Sequence, residues 1–149
     1  MTVQTHVHGS TQSDHSIAAF MAPHAHWLLR VSLASVFLFH GLQKFLVSGI
    51  EGFAGMVGLP LAIAATVALA EVLGGAGIIA GATIRGRLGD LVTRLSGLAI
   101  APVMIGAIAM VHWGQWSFVA SDSHPMGGME FQVMLLLIGL YFLIRGNDG

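Results

Sequence analysis

The sequence predicts an all-α protein: an integral membrane four-helix bundle with both termini cytoplasmic. Three observations carry that expectation. The first is composition: 55% of the 149 residues are hydrophobic and only 9% charged, with a mean hydropathy of +0.81. A soluble domain carries about 25% charged residues. The second is a set of four apolar segments, each approaching the ~20 residues that cross a ~30 Å hydrocarbon core as helix. The third is the placement of the basic residues, which gather at one end of those segments.

Residues 1–26 read as a polar, His-rich N-terminal tail, expected to be mobile and lacking the basic start of a signal peptide. Its pairs His6/His8 and His24/His26 do not have the spacing of a closed zinc site, so no metal is expected there. Residues 27–146 form the transmembrane domain, and 147–149 a short C-terminal tail. The first apolar segment runs from Trp27 to Val47 and the second from Pro60 to Ala82. The third has an amphipathic lead-in from Leu88 and an uncharged stretch from Leu95 to Val111. Pro102 removes a backbone donor from it and should kink it. The fourth runs from Gly128 to Ile144. Lipid offers backbone groups no partners, so four packed helices satisfy them internally. "SGIEGFAGMVGLP" and "SDSHPMGG" read as two outer loops, and Pro60 suits the first turn of its helix.

Orientation follows from charge. Arg85, Arg87 and Arg94 surround the second connection, Arg30 and Arg145 flank the outer two helices on that side, and only Lys44 lies opposite. An excess of Lys and Arg marks the cytoplasmic side. Trp113 and Trp116 then fall at the outer interface, Trp27 and Tyr141 at the inner one. Asp90 and Arg94 stand four residues apart in the favourable order for a helix ion pair. The expected location is the bacterial plasma (inner) membrane, as a multi-pass protein.

Polar groups in lipid are costly unless paired, which makes "FLFHGLQKFL" (37–46) the most informative stretch. It places His40, Gln43 and Lys44 on consecutive turns. Glu71 lies near the middle of the second helix, ~16 Å below the outer surface when counted from Pro60, with Lys44 ~5 Å and His40 ~10 Å deep. His112 and Glu130 stand at the outer ends of their helices. Glu71 shares its face with Ala64, Ala68, Gly74 and Gly75, small residues that allow a neighbouring helix close approach. Gly77 and Gly81 add a GxxxG spacing. The candidate polar pocket is therefore His40, Gln43, Lys44, Glu71, His112 and Glu130, with Glu71 and Glu130 offsetting Lys44. Gly41, Gly74, Gly75, Gly77 and Gly81 are assigned to helix packing. A buried polar cluster can also fix helix register without doing chemistry; that reading is preferred for His40 alone, the functional one for the Glu71–Lys44 set. Met104, Met110, Met126, Met129 and Met134 fill space rather than bind metal.

With no cysteine, the chain itself offers no thiolate chemistry. It has no nucleotide fingerprint, nucleophile elbow or helical metal-binding histidine set. No catalytic residue is assigned, and a nucleic-acid partner is not expected.

The pieces "FLFHGLQKFL", "GFAGMVGLP", "ALAEVLGGAGIIAGATIRG", "VHWGQW" and "GGMEFQVMLLLIGLYFLIRG", in that order and spacing, resemble the DoxX family of small four-helix membrane proteins. The likeness covers about Leu28 to Gly146. Carried over residue by residue, it picks out Gly41, Lys44, Glu71, Gly74, Gly75, His112, Gly128 and Glu130. The family takes its name from a relative associated with thiosulfate:quinone oxidoreductase, so the resemblance implies a membrane subunit of a redox complex, with quinone as the candidate cofactor. The alternative is a small bundle that moves protons or solute, or only anchors a partner. Quinone binding predicts a lateral opening near His40 lined by aromatic and apolar residues, whereas transport needs a polar path continuing inward past Glu71. Expected partners are the lipid bilayer and either further copies of the chain or the other subunits of such a complex.

Overall fold

A computed structural model describes residues 19–147. Among these there is no strand, and the chain runs as helices α1 (His26–Leu46), α2 (Gly49–Val57), α3 (Leu61–Thr83), α4 (Gly86–Ala107) and α5 (Glu130–Arg145). A 3₁₀ turn at Ala22–His24 leads into α1, and a π-helical turn at Ile108–His112 extends α4. Helix thus reaches back into residues read from sequence as tail, where His24 and His26 lie; His6 and His8 fall outside the described residues. Among the described residues three helices are long and apolar enough to cross a membrane: Ala19–Leu46, Leu61–Thr83 and Gly86–His112. Exposed Leu28, Phe39, Leu73, Leu98 and Leu137 coat the outside of the bundle, an arrangement suited to acyl chains rather than water.

One segment departs from its expectation. Residues 49–57, read as loop because of four glycines in thirteen residues, form α2. Gly49 (φ +68°) turns the chain out of α1, and Glu51 places a carboxylate in the first turn of α2, where the helix dipole favours it. Gly58 (φ +69°) ends the helix in the left-handed conformation, and the Leu59 N–H returns to the Ala54 carbonyl. Glycine there punctuates a helix instead of dissolving it.

The helices pack through small residues. A Cβ on Gly97 of α4 would stand 2.7 Å from the Leu143 backbone nitrogen of α5, and one on Gly75 of α3 would stand 3.2 Å from the Ala34 carbonyl oxygen of α1. Between these contacts lies an apolar waist of fully buried Leu33, Phe37, Ile78, Ile100 and Phe142.

Below the waist, Arg30 is 1% exposed and is not the interfacial flank that its position in the sequence suggests. Its guanidinium donates to the Ile78 carbonyl (2.6 Å), Thr93 Oγ1 (3.2 Å) and Asn147 Oδ1 (2.8 Å), and lies 4.6 Å from the centre of the Phe142 ring. Asn147 in turn donates to the Gly81 carbonyl (2.8 Å) and, through its backbone, to Asp90 Oδ1 (2.9 Å). Arg94 pairs with Asp90 at 2.8 Å, as its i,i+4 spacing predicts, and also donates to the Leu143 and Ile144 carbonyls at the end of α5. Arg94 thus meets helix-end carbonyls left without intrahelical donors. Asn147 bridges the ends of three helices, so Asn147→Ala should lower the unfolding free energy in micelles by about 2 kcal/mol. Arg145→Ala, at an exposed neighbour, should be neutral; equilibrium denaturation followed by circular dichroism measures both.

Candidate functional site

Above the waist, Lys44 Nζ lies 2.6 Å from Glu71 Oε2, and the two side chains are 14% and 6% exposed. A bare charge at the centre of a membrane helix costs about 2.5–3.5 kcal/mol on insertion scales, so pairing these two removes a large penalty. Gly41, one turn before Lys44, makes the pairing geometrically accessible. A Cβ there would stand 2.9 Å from the Val72 nitrogen and 3.0 Å from Glu71 Cβ. Glu71 is buried together with Ala64, Ala68, Gly74 and Gly75, the small-residue face along which α3 meets its neighbours. Lys44 also donates to the His40 carbonyl (3.3 Å) and sits 4.7 Å from the centre of the Phe53 ring of α2.

The ion pair borders two cavities. The larger, about 350 Å³, holds His40, Lys44, Glu71 and His112 on its wall, with Gln132 of α5 beside them. Phe37, Met104, Phe131 and Leu135 supply its apolar surface, and Met126 reaches it from the connection between α4 and α5. The smaller, about 240 Å³, lies on the other side of Lys44 and Glu71 and is lined almost entirely by apolar groups of α2, α3 and α4.

His112 reaches the larger cavity through the π turn. In an unbroken α-helix Val111, seven residues beyond buried Met104, would face the bundle. The wider turn at Ile108–His112 absorbs an extra residue, and His112 takes that position, 7% exposed. Its Nδ1 lies 2.8 Å from the Gly127 carbonyl, which can only accept, so in the neutral ring Nδ1 carries the hydrogen. Nε2 is then an acceptor for the Gln132 amide at 3.0 Å. Gln132 Oε1 is buried and meets no donor.

Four of the six predicted site residues thus share one cavity wall, and two stand apart. Gln43 is exposed, pointing away from both cavities. Glu130 does not approach Lys44: its carboxylate accepts from the Phe118 N–H at 3.3 Å and lines a separate recess with Phe131 and Met134. The offsetting of Lys44 therefore falls to Glu71 alone among the described residues. Gln132 is the residue that sequence reasoning missed. It lies three positions before Leu135 and shares its inward face, a direction that only the packing of α5 identifies. Among the described residues no group of three or more His, Asp or Glu side chains gathers as a metal site.

Long apolar helices around a polar, partly filled interior define a small multi-pass membrane protein. The DoxX family model matches residues 25–113, and the chain belongs to that family. A relative in Bacillus subtilis (strain 168), named "Putative oxidoreductase CatD", is 34% identical over 123 residues, covering 80% of this chain and 78% of its own. No solved structure matches.

Lys44→Met leaves a carboxylate buried without its partner and should lower stability in micelles by about 3 kcal/mol. Combining it with Glu71→Gln should return most of that loss. A double-mutant cycle read by equilibrium unfolding measures the coupling, and strictly additive losses would refute the pairing.

Proposed function

We propose that this protein is a membrane subunit of a redox system in the bacterial plasma membrane, and that its larger cavity receives the head group of a quinone. The observation that carries the reading is the composition of that cavity. Carbonyl and hydroxyl oxygens of such a ring need hydrogen-bonding groups at fixed places, and Lys44, His40 and the His112–Gln132 pair offer them. The ring's flat apolar faces need the kind of surface that Phe37, Met104 and Phe131 provide. The name of the Bacillus subtilis relative agrees in general direction with a redox role.

The apolar waist argues against the transport alternative. Inward of Glu71 the buried side chains are Leu33, Phe37, Ile78 and Ile100, and the nearby Ser96 hydroxyl is taken by the Val92 carbonyl of its own helix. A proton or polar solute would find no continuous set of partners between Glu71 and the Arg30 cluster.

The same reading takes α5 as a fourth span and places both termini in the cytoplasm, with the cavities in the outer half of the bilayer. At 16 residues α5 is ~24 Å long, short of the hydrocarbon thickness, and the chain leading into it at Gly128 and Met129 covers part of the remainder. Assembly with further copies or with a catalytic partner belongs to the same reading, in which a chain with no nucleophile elbow and no cysteine works beside a catalytic subunit.

Reconstituted in nanodiscs, the protein should bind a short-tailed benzoquinone saturably, and Glu71→Gln or Lys44→Met should weaken binding at least tenfold. Glu130→Gln, in its separate recess, should leave it unchanged. Gentle isolation from native membranes should bring down a lipophilic quinone together with a partner oxidoreductase. Isolation with neither, and no saturable binding in nanodiscs, would overturn the proposal.

A further inference from the structure

The smaller cavity has no role in holding a head group, since Lys44 and Glu71 are the only polar side chains on its wall. Its shape and position nonetheless assign it to the same ligand. Both cavities share Lys44, Glu71 and Ala107, so they meet at the ion pair. From there the smaller one runs beneath α2, which covers it with Phe53 and Val57, and between α3 and α4. On the α4 side its wall is thin: Pro102 carries only a ring, and Gly106 carries nothing. A Cβ built on Gly106 would meet no atom within 4 Å, so the space beside it is empty. This sets Gly106 apart from Gly41, Gly75 and Gly97, whose missing side chains are each required by a neighbouring backbone.

We infer that the smaller cavity is a slot for the isoprenoid tail of a lipophilic quinone whose head group occupies the larger one. The inference rests on the redox reading above and adds the tail to it. An amphiphile with a polar ring and an apolar chain needs two adjoining compartments of opposite character, and the partition between them here is a single ion pair. An apolar chain in the slot exchanges contacts with lipid for contacts with the cavity wall and fills a void that otherwise lowers packing density. Lys44 stands where ring and tail join, held by Glu71 on one side and by the Phe53 ring on the other. The segment read from sequence as a loop thereby acquires a purpose: α2 roofs the slot.

The test compares probes sharing one benzoquinone head, either tail-less or carrying one or two isoprenoid units, with geraniol as the tail alone. Binding is measured by thermal stabilisation of wild type and of Gly106→Leu in the same detergent. The variant should fold with an unchanged unliganded melting temperature, because its side chain enters empty space. Wild type should bind the longest-tailed quinone at least tenfold more tightly than the tail-less one. Gly106→Leu should keep the tail-less affinity and lose the gain. A gain that persists undiminished in Gly106→Leu overturns the slot, because the tail then lies elsewhere. Geraniol separates the two proposals: if no quinone binds but geraniol stabilises wild type and not Gly106→Leu, the slot stands and the redox reading falls. If neither prenylated quinone nor geraniol stabilises wild type, the slot falls.

Discussion

The cavity-bearing end of this bundle depends on one contact, the 2.6 Å approach of Lys44 Nζ to Glu71 Oε2. A bilayer interior tolerates neither group alone, and the two sit on different helices, so the helices must come together until the charges meet. That requirement reaches into residues with no charge at all. Gly41 lies against Glu71 Cβ and the Val72 nitrogen, and Gly75 lies against the Ala34 carbonyl. A larger residue at either place would push α1 from α3, and the separation would fall on the ion pair. The electrostatic constraint and the small-residue stripe are one feature seen at two levels.

The two polar ends of the bundle differ in what stands beside their paired groups. Around Arg30, Ile78, Thr93 and Asn147 take up the guanidinium and Asn147 reaches Gly81 and Asp90, while Arg30 Nε and the nearby His26 Nδ1 are buried without a partner. This network ties the helix ends together. Around Lys44 and Glu71, space remains beside the groups, and Gln132 Oε1 is buried with no donor. Incomplete satisfaction next to a cavity is the physical signature of a place where something else completes the set.

Periodicity and hydropathy made most of the fold legible before any coordinates. The four apolar segments match α1, α3, α4 with its π turn, and α5 to within about two residues at most ends. Small residues at helical spacing around Glu71 correctly turned it inward, and from there toward Lys44. What was not legible depends on geometry that pattern does not carry. Arg30 looks like any interfacial arginine until α5 ends beside it and Asn147 closes over it. Glu130 looks like a second counter-ion, yet the loop before α5 brings Phe118 to its carboxylate. Glycine content hid α2, because four glycines in a short segment depress helix propensity although two of them only mark its ends. Gln132 needed a known facing direction for α5, and that direction comes from packing against α4.

The stretch of α4 from Pro102 to His112 shows how backbone irregularity can serve two compartments at once. Pro102 has no N–H to return to the Leu98 carbonyl, so the regular ladder is already interrupted there. Gly106 follows one turn later with no side chain, and the π turn begins two residues further on. Interrupting the ladder costs hydrogen-bond energy that a purely structural helix would retain, since a regular α-helix is the cheapest way through lipid. Two consequences offset that cost. On one side Pro102 and Gly106 thin the wall and leave the smaller cavity open. On the other the wider turn moves the inward position from Val111 to His112, placing an imidazole in the larger cavity where regular geometry would have set an isopropyl group. A helix selected only to fill space has no reason to accept either change. Proline, glycine and π geometry are thus concentrated in the eleven residues of α4 that border the two cavities, while the regular stretch before them, with Gly97 and Ile100, packs the bundle.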